Sequence, residues 1–384
     1  MDDRLPDASH HLGSFFEEGE TVVRVEPVRI ASREQQTRQV KLVGFRDNHD
    51  PRSSEMGRTR MAGVSSGTSD RYQSFADREA RGSSEIYFAW ASAVAGDGEV
   101  LALIEQLPLI KQQPNLVFAA ARYLGAPVGP FDPFREWLVT NWSDVGSVCL
   151  DRSTQTNEAA RCGVLLPALS TIPGPLSLIE VGASAGLCLF PDAYSYRYDA
   201  GDRTVDLDPS RGVSTVMVPC RIDAPEVPAR LPEVAWRAGL DLNPIDVRNP
   251  SELEWLETLI WPEHEARRQR LHAAAALVAQ DPPHIAKGDL LNEIGDLIGA
   301  APADATTVVF HSAVLAYLDA HRVAEFVDLI HSFRHVVWIS NEGEHVLPTV
   351  ERQLPHSSGG RTVVAMNGTP MAFAGPHGQS YEAL

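Results

Sequence analysis

The chain has 384 residues, enough for two ordinary domains or for one large domain with a smaller companion. Its hydrophobic fraction of 43% and charged fraction of 22% are typical of a globular protein with a sizeable core. With 33 basic and 51 acidic residues, the formal charge is −18. A body of that charge repels phosphate backbones, and the sequence contains no basic run to offset it. We therefore expect no nucleic-acid partner.

The cysteines predict neither a metal site nor a disulfide framework. All four are far apart, form no C-x-x-C pair and lack histidines at metal-ligand spacing: Cys149, Cys162, Cys188 and Cys220. Free thiols suit a reducing compartment. No apolar run approaches the roughly 20 residues of a membrane span, and the N-terminus lacks a secretion-signal pattern. We expect a cytoplasmic protein without membrane contact; the oligomeric state stays open.

Residues 1–69 differ in composition from the rest of the chain. Their low hydrophobicity and mixed charge cannot bury enough surface to offset the entropy of ordering, so we predict a mostly disordered N-terminal extension. Met56 and Met61 lie just before the first helical pattern. A start at Met56 or Met61 is therefore a hypothesis, and Met1 stays an alternative.

Residues 70–172 predict a helical cap. Apolar side chains recur there at intervals of three and four residues, for example in 72–79, 86–93 and 115–124. Glycine and proline punctuate the intervals between these stretches. The pattern continues through 134–139 and 156–169, the latter leading towards the next region of the chain.

Residues 173–384 predict an α/β domain, because short apolar strands alternate with helical stretches. The strands are expected at 176–181, 234–240, 284–287, 306–310, 335–340 and 362–366. The helices are expected at 252–259, 263–279, 290–298 and 320–333, with a first helix over 187–193. This order favours a Rossmann-like, mainly parallel sheet wrapped by helices. Residues 194–222 predict a β-hairpin insertion after the first helix.

The segment Glu180-Val-Gly182-Ala-Ser184-Ala-Gly186 links the first strand to that helix. Glycine lets the backbone approach a ligand closely, and free N–H groups at a helix start bind polar groups. The segment resembles the first motif of class I S-adenosylmethionine-dependent methyltransferases, acid-x-Gly-x-Gly-x-Gly, with Ser184 at the middle glycine. The resemblance implies S-adenosylmethionine as cofactor, with Glu180 at its amino-acid end and Gly182, Ser184 and Gly186 in backbone contact.

Further segments resemble later motifs of the same family. Gly239-Leu-Asp241-Leu-Asn-Pro resembles its second motif, which implies that Asp241 holds the ribose hydroxyls. Its distance from Gly186 exceeds the usual spacing of about 20 residues, so an ordinary turn stays an alternative. Asp289 and Leu290 resemble the adenine-contacting strand end, although Asp289 also suits a helix N-cap.

Three more residues are candidates for the site. His311 stands in the fourth-strand motif where the acceptor would be approached, and histidine can accept a proton near neutral pH. Asn157 and Arg161 share a helix face by their i,i+4 spacing, and Arg161 could pair with the cofactor's carboxylate. The alternative for His311 is a structural role, and for Asn157 and Arg161 it is helix capping. The implied acceptor is a small molecule.

Two other classes of function remain open. Gly182-x-Ser184-x-Gly186 also matches the nucleophile elbow of serine hydrolases, with Asp241 or Asp289 as acid and His377 as base in the required order. About a hundred helical residues precede the turn, where that fold needs several strands. A non-catalytic α/β binding domain is the third class.

Over roughly residues 71–384, the chain also resembles a family of bacterial proteins catalogued as a domain of unknown function. The similar segments are the Gln155-Thr-Asn-Glu stretch, the glycine turn, the Asp241 strand end, Trp261-Pro-Glu-His and Phe310-His-Ser-Ala-Val-Leu-Ala-Tyr. Together they identify the family but imply no activity. The methyltransferase interpretation therefore rests on the motifs of the site.

Overall fold

The structure is a computed structural model that describes residues 66–155 and 157–384. The prediction of a late translation start, and that of disorder over residues 1–65, lie outside this range, whereas residues 66–69 of the predicted extension are helical. The described residues all belong to one compact unit.

The described residues before the sheet form helices joined by turns and loops, and no strand. The α-helices are α1 (Ser66–Phe75), α2 (Glu85–Gly96), α3 (Gly98–Ile104), α4 (Pro114–Tyr123), α5 (Phe131–Thr140), α6 (Trp142–Asp151) and α7 (Cys162–Leu169). Side-chain caps fix two of the helix starts, since Ser84 accepts from the Tyr87 amide and Asp97 from the Val100 amide. We call α1–α6 the helical lobe.

Aromatic packing forms the core of the helical lobe. Trp90 stacks on Phe134 with ring centroids 3.7 Å apart, and Phe118 meets Trp90 edge-on. Trp255 and Trp261, which come from beyond the first strand, complete the same apolar cluster. The lobe is thus anchored to the α/β part by shared core.

Eleven strands form one sheet in the described chain, in the order β3-β2-β4-β11-β10-β9-β8-β7-β1-β5-β6. They are β1 (Pro175–Val181), β2 (Ser195–Asp199), β3 (Thr204–Leu207), β4 (Met217–Asp223), β5 (Glu233–Asp241), β6 (His284–Lys287), β7 (Thr306–Ser312), β8 (Val337–Glu342), β9 (Thr362–Met366), β10 (Thr369–Ala374) and β11 (Ser380–Ala383). The five strands from β8 to β6 are parallel, and β9, β10 and β11 continue antiparallel. The fold is α/β and Rossmann-like, as predicted.

Helices cover both faces of the parallel half. The later helices are α8 (Pro250–Leu259), α9 (Glu265–Val278), α10 (Leu290–Ala300), α11 (Ala320–Ser332) and α12 (Pro348–Glu351). Alternate residues of β1 enter different apolar clusters: Leu178 packs with residues of α7 and α9, and Ile179 packs with residues of α10 and α11. None of the helices in the described ranges is both long and apolar enough to cross a bilayer.

The segments flanking β1 differ from the sequence expectations. After the turn, only the 3-10 turn Leu187–Leu189 forms, because the chain passes through Pro191 into β2. The expected helix over 187–193 was therefore wrong. Asn157 lies before the first helical residue of that segment, so it shares no helix face with Arg161. In the predicted insertion, β2 and β3 form the hairpin, whereas β4 runs parallel to β2 and joins it to β11.

Candidate functional site

A cavity of about 410 Å³ lies at the carboxyl ends of β1, β5, β6 and β7. The order of strands reverses between β1 and β7, since the chain first extends to β5 and β6 and then returns beside β1. Ligands of open α/β sheets bind at such a switch point. The helical lobe supplies one wall through Ile110, Lys111, Gln113 and Leu116. The site therefore has contributions from both parts of the chain.

The turn after β1 is held entirely by the protein's own groups. The amides of Gly182 and Ala183 donate to the Leu240 carbonyl, and the Gly186 amide donates to the Ala183 carbonyl. The amides of Ser184 and Ala185 donate to side chains. Since no α-helix begins here and these N–H groups are satisfied, the turn offers no free anion cradle of the expected kind.

The two predicted glycines serve packing in the left-handed backbone region. Gly182 has φ 72°, and a Cβ there would lie 2.4 Å from Val314 Cγ2. Gly186 has φ 70°, does not line the cavity, and would meet Pro283. Ser184 adopts φ 49° without being glycine, which costs free energy that its contacts must offset.

Asn157 and Asp241 fix the turn from two sides. The Asn157 amide donates to Ser184 Oγ at 2.7 Å and accepts from the Ala185 amide at 2.9 Å. Asp241 Oδ2 accepts from the Ser184 amide at 2.8 Å, and Oδ1 accepts from the Asn243 amide at 2.7 Å. Asn157, expected to contact the cofactor, therefore positions the turn that lines the cavity. Asp241 also lines it and keeps lone pairs for further donors.

Glu180 brings a carboxyl group into the cavity without a partner. The side chain is 7% exposed, and Oε2 is buried with no hydrogen-bond partner in the described chain. Burial, reinforced by nearby Cys188 and Asp241 and opposed by Arg161, raises the pKa of Glu180 well above its usual value. An unsatisfied buried acid is costly, so it marks a place where a ligand donor would be favourable.

Arg161 is a buried cation at the same cavity. Only 8% exposed, it donates from Nε to the Pro376 carbonyl and from Nη1 to the Ser312 carbonyl. Neither acceptor carries a charge, and within the described ranges Arg161 forms no ion pair. A guanidinium has five donors in a fork that suits carboxylates. Arg161 is thus available to an anionic group of a ligand.

Asp289 and Leu290, which follow β6, also line the cavity. Asp289 caps α10 by accepting from the Leu291 amide at 3.0 Å, as its N-cap alternative predicted. It also pairs with Arg322, and this hydrogen bond, against slight burial, lowers its pKa. The carboxylate is therefore ionised and oriented at the cavity wall.

The structure does not bring His311 to the cavity. Its side chain is fully buried between Phe326 and Trp338. Trp338 Nε1 donates to Nε2, so Nδ1 carries the proton that binds Glu342 at 2.6 Å. With both nitrogens engaged in the core, the imidazole has no path to an acceptor. His311 is therefore not placed to act as a general base on a ligand in the cavity.

Ser184 and His377 do not form a catalytic pair in the described chain. Ser184 Oγ is bound to Asn157, and no hydrogen bond links it to an imidazole. Burial, together with the charges of Arg267 and Arg161, lowers the pKa of His377 to about 3. Such an imidazole is a poor general base at neutral pH.

Two features of the site escaped sequence reasoning. Glu158, which lines the cavity and is 3% exposed, forms ion pairs with Arg267 and Arg270 of α9. Apolar side chains of three distant segments stand around the opening, among them Ile110 and Tyr317. Only the Glu158 position had a sequence signal, in the Gln155-Thr-Asn-Glu motif. No cluster of three metal-ligating side chains occurs in the part of the chain that is described.

The sequence matches a known protein family. Residues 69–382 match the family described as "Uncharacterized protein conserved in bacteria (DUF2332)". The match spans most of the chain, so the protein belongs to this family. No curated protein matches the sequence.

Proposed function

We propose that the protein is a cytoplasmic, class I S-adenosylmethionine-dependent methyltransferase that acts on a small-molecule acceptor. The single observation that carries the proposal is that Glu180 and Arg161 line the same cavity. Among the described residues, the buried Glu180 carboxyl group has no partner at Oε2 and the buried Arg161 guanidinium pairs with no acid. Both match an α-amino acid, whose ammonium and carboxylate would satisfy them. S-Adenosylmethionine carries such an amino-acid end.

The remaining walls fit the rest of that molecule. Asp241, at the end of β5, can accept both hydroxyls of a ribose while holding the turn. Asp289 and Leu290, at the end of β6, offer an acceptor and an apolar surface to a base. The position across several strand ends follows the rule for nucleotide ligands of doubly wound sheets.

The bound cofactor would supply an activated methyl group on sulfur, which an acceptor nucleophile displaces in line. The chain's own residues then have to position and dry the reactants. Asn157 and Asp241 hold the turn, Arg161 and Glu180 hold the amino-acid end, and the helical lobe covers the cavity. No step is assigned to His311, because its ring lies in the core.

Calorimetry with two matched ligands tests the proposal. S-Adenosylhomocysteine carries the amino-acid end, and 5′-methylthioadenosine lacks it. We expect the former to bind more tightly, because each hydrogen bond to a charged group contributes about 1.5–3 kcal/mol, or roughly ten- to a hundredfold in Kd. Glu180→Gln and Arg161→Met should reduce this preference with little effect on 5′-methylthioadenosine.

Two controls make the result decisive. Arg161→Lys keeps the charge but loses the fork, so it should retain part of the preference. Arg197→Met breaks an exposed ion pair with Asp206 outside the cavity and should leave both affinities unchanged. Failure of the wild-type protein to bind either ligand would refute the cofactor site. Binding without methyl transfer to any acceptor would favour the non-catalytic binding domain.

A further inference from the structure

Three large apolar side chains stand exposed around the mouth of the cavity. Ile110 is 72% exposed, Leu242 62% and Tyr317 72%. Each lines the cavity, and they come from separate segments: the lobe turn Leu109–Lys111, the loop after β5 and the turn Leu315–Tyr317 after β7. We call these three residues the apolar rim. Exposed apolar side chains gathered from unrelated segments at one opening indicate a surface that a ligand covers.

The charged groups beside the apolar rim form hydrogen bonds within the protein. Lys111 Nζ donates to the Arg152 carbonyl at 2.6 Å and to Ser153 Oγ at 3.3 Å. Arg322 pairs with Asp289. Glu180 and Arg161, by contrast, form no ion pair in the described chain, and the proposed function assigns them to the donor's amino-acid end. Apart from the Lys111 ammonium, whose acceptors are neutral, the mouth offers mainly apolar contact to an incoming molecule.

The size of the cavity indicates where the methyl donor and the acceptor would each lie. About 410 Å³ lies near the lower end of the roughly 300–1,000 Å³ typical of ligand pockets. A donor that reaches from Glu180 to Asp289 takes up the space over the strand ends. The second reactant must then approach from the mouth, where Ile110, Leu242 and Tyr317 stand.

We propose that the methyl acceptor is a small molecule whose alkyl or aromatic body packs against the apolar rim. This inference rests on the proposed function, because it assigns the deeper part of the cavity to the donor. A small molecule fits better than a protein surface, since all three side chains line the cavity itself.

A series of 4-alkylphenols, from phenol to 4-hexylphenol, tests the inference by calorimetry on protein saturated with S-adenosylhomocysteine. We expect the affinity to rise roughly three- to fourfold with each added methylene, as apolar surface leaves water. Ile110→Ser, Leu242→Ser and Tyr317→Ser should each flatten this rise. The exposure of these positions means that the variants should fold. Val213→Ser, 75% exposed and outside the cavity, is the matched control and should keep the wild-type slope.

The possible results separate this inference from the proposed function. Binding of S-adenosylhomocysteine without any dependence on chain length would overturn the apolar acceptor and leave the donor site standing. The same holds if the three rim variants keep the wild-type slope. Binding of alkylphenols by a protein that ignores S-adenosylhomocysteine would refute the donor site, and with it the description of the apolar ligand as an acceptor.

Discussion

Binding of the donor's amino-acid end should release a proton from Glu180. In the ligand-free protein, burial holds the pKa of this carboxyl group well above its usual value, with Cys188 and Asp241 adding to the effect and Arg161 opposing it. A ligand ammonium beside the Glu180 carboxyl group would favour its ionised form and lower its pKa. The free protein thus carries more protons at this site than the complex does, over the pH range between the two pKa values.

The sign and size of the effect follow from linkage. Because protons leave on binding, the affinity should rise with pH within that range, by at most about tenfold per pH unit for one group. The stability of the free protein should change in the opposite direction. A carboxyl group whose folded pKa is raised favours the folded state at low pH, and this contribution is lost as pH rises through the folded pKa.

The assay is calorimetry of S-adenosylhomocysteine binding in phosphate and in Tris, whose ionisation enthalpies differ. The difference between the two measured enthalpies, divided by the difference between the two ionisation enthalpies, gives the number of protons released, which should approach one between the two pKa values. Glu180→Gln keeps the shape of the side chain without its titration, so its release should be smaller by that amount. Equal proton release in the wild-type protein and in Glu180→Gln would refute the assignment of Glu180.

Three further predictions concern the residues around the site, each checked by urea unfolding and by the Kd for S-adenosylhomocysteine. Asn157→Ala should lower the free energy of unfolding by roughly 2–4 kcal/mol, since two buried groups of the turn lose their partner. Asn157→Asp should largely preserve stability, because the Ser184 hydroxyl can turn and donate to the carboxylate. Gly182→Ala should cost roughly 2–5 kcal/mol from its left-handed backbone and the contact with Val314, and Val314→Ala in the same chain should recover part of it. His311→Leu should cost roughly 1–3 kcal/mol, because buried Glu342 loses one of its three donors and Trp338 Nε1 loses its acceptor, yet it should leave the Kd unchanged. A large loss of affinity would contradict the placement of His311 away from the cavity.

Local pattern determined most of the secondary structure of the α/β part. The predicted strands 284–287 and 362–366 coincide with β6 and β9, because alternating or continuous apolar runs are read directly from neighbouring residues. Strand β10 was absent from the prediction, since Pro370 and the flanking glycines weaken its pattern. The helix expected after the turn failed for a similar local reason, the proline at 191.

The site was only partly determined by sequence. Motif resemblance placed Glu180, Asp241 and Asp289 at strand ends, and strand ends of a parallel sheet share one edge, so these residues meet at one cavity. The sequence could not tell which side chains have partners. That Asn157 holds the turn, and that His311 lies in the core, depends on contacts between residues that are 27 and 31 positions apart.

Tertiary structure alone decided the character of the cavity. Ile110, Leu242 and Tyr317 lie on three segments far apart in the chain, and nothing in their local sequence distinguishes them from other exposed apolar residues. Likewise, the composition of the chain does not reveal that Arg161 and Glu180 form no ion pair within residues 66–155 and 157–384. Local sequence fixes strands, turns and caps because those depend on near neighbours, whereas burial and charge pairing arise only when distant segments pack together.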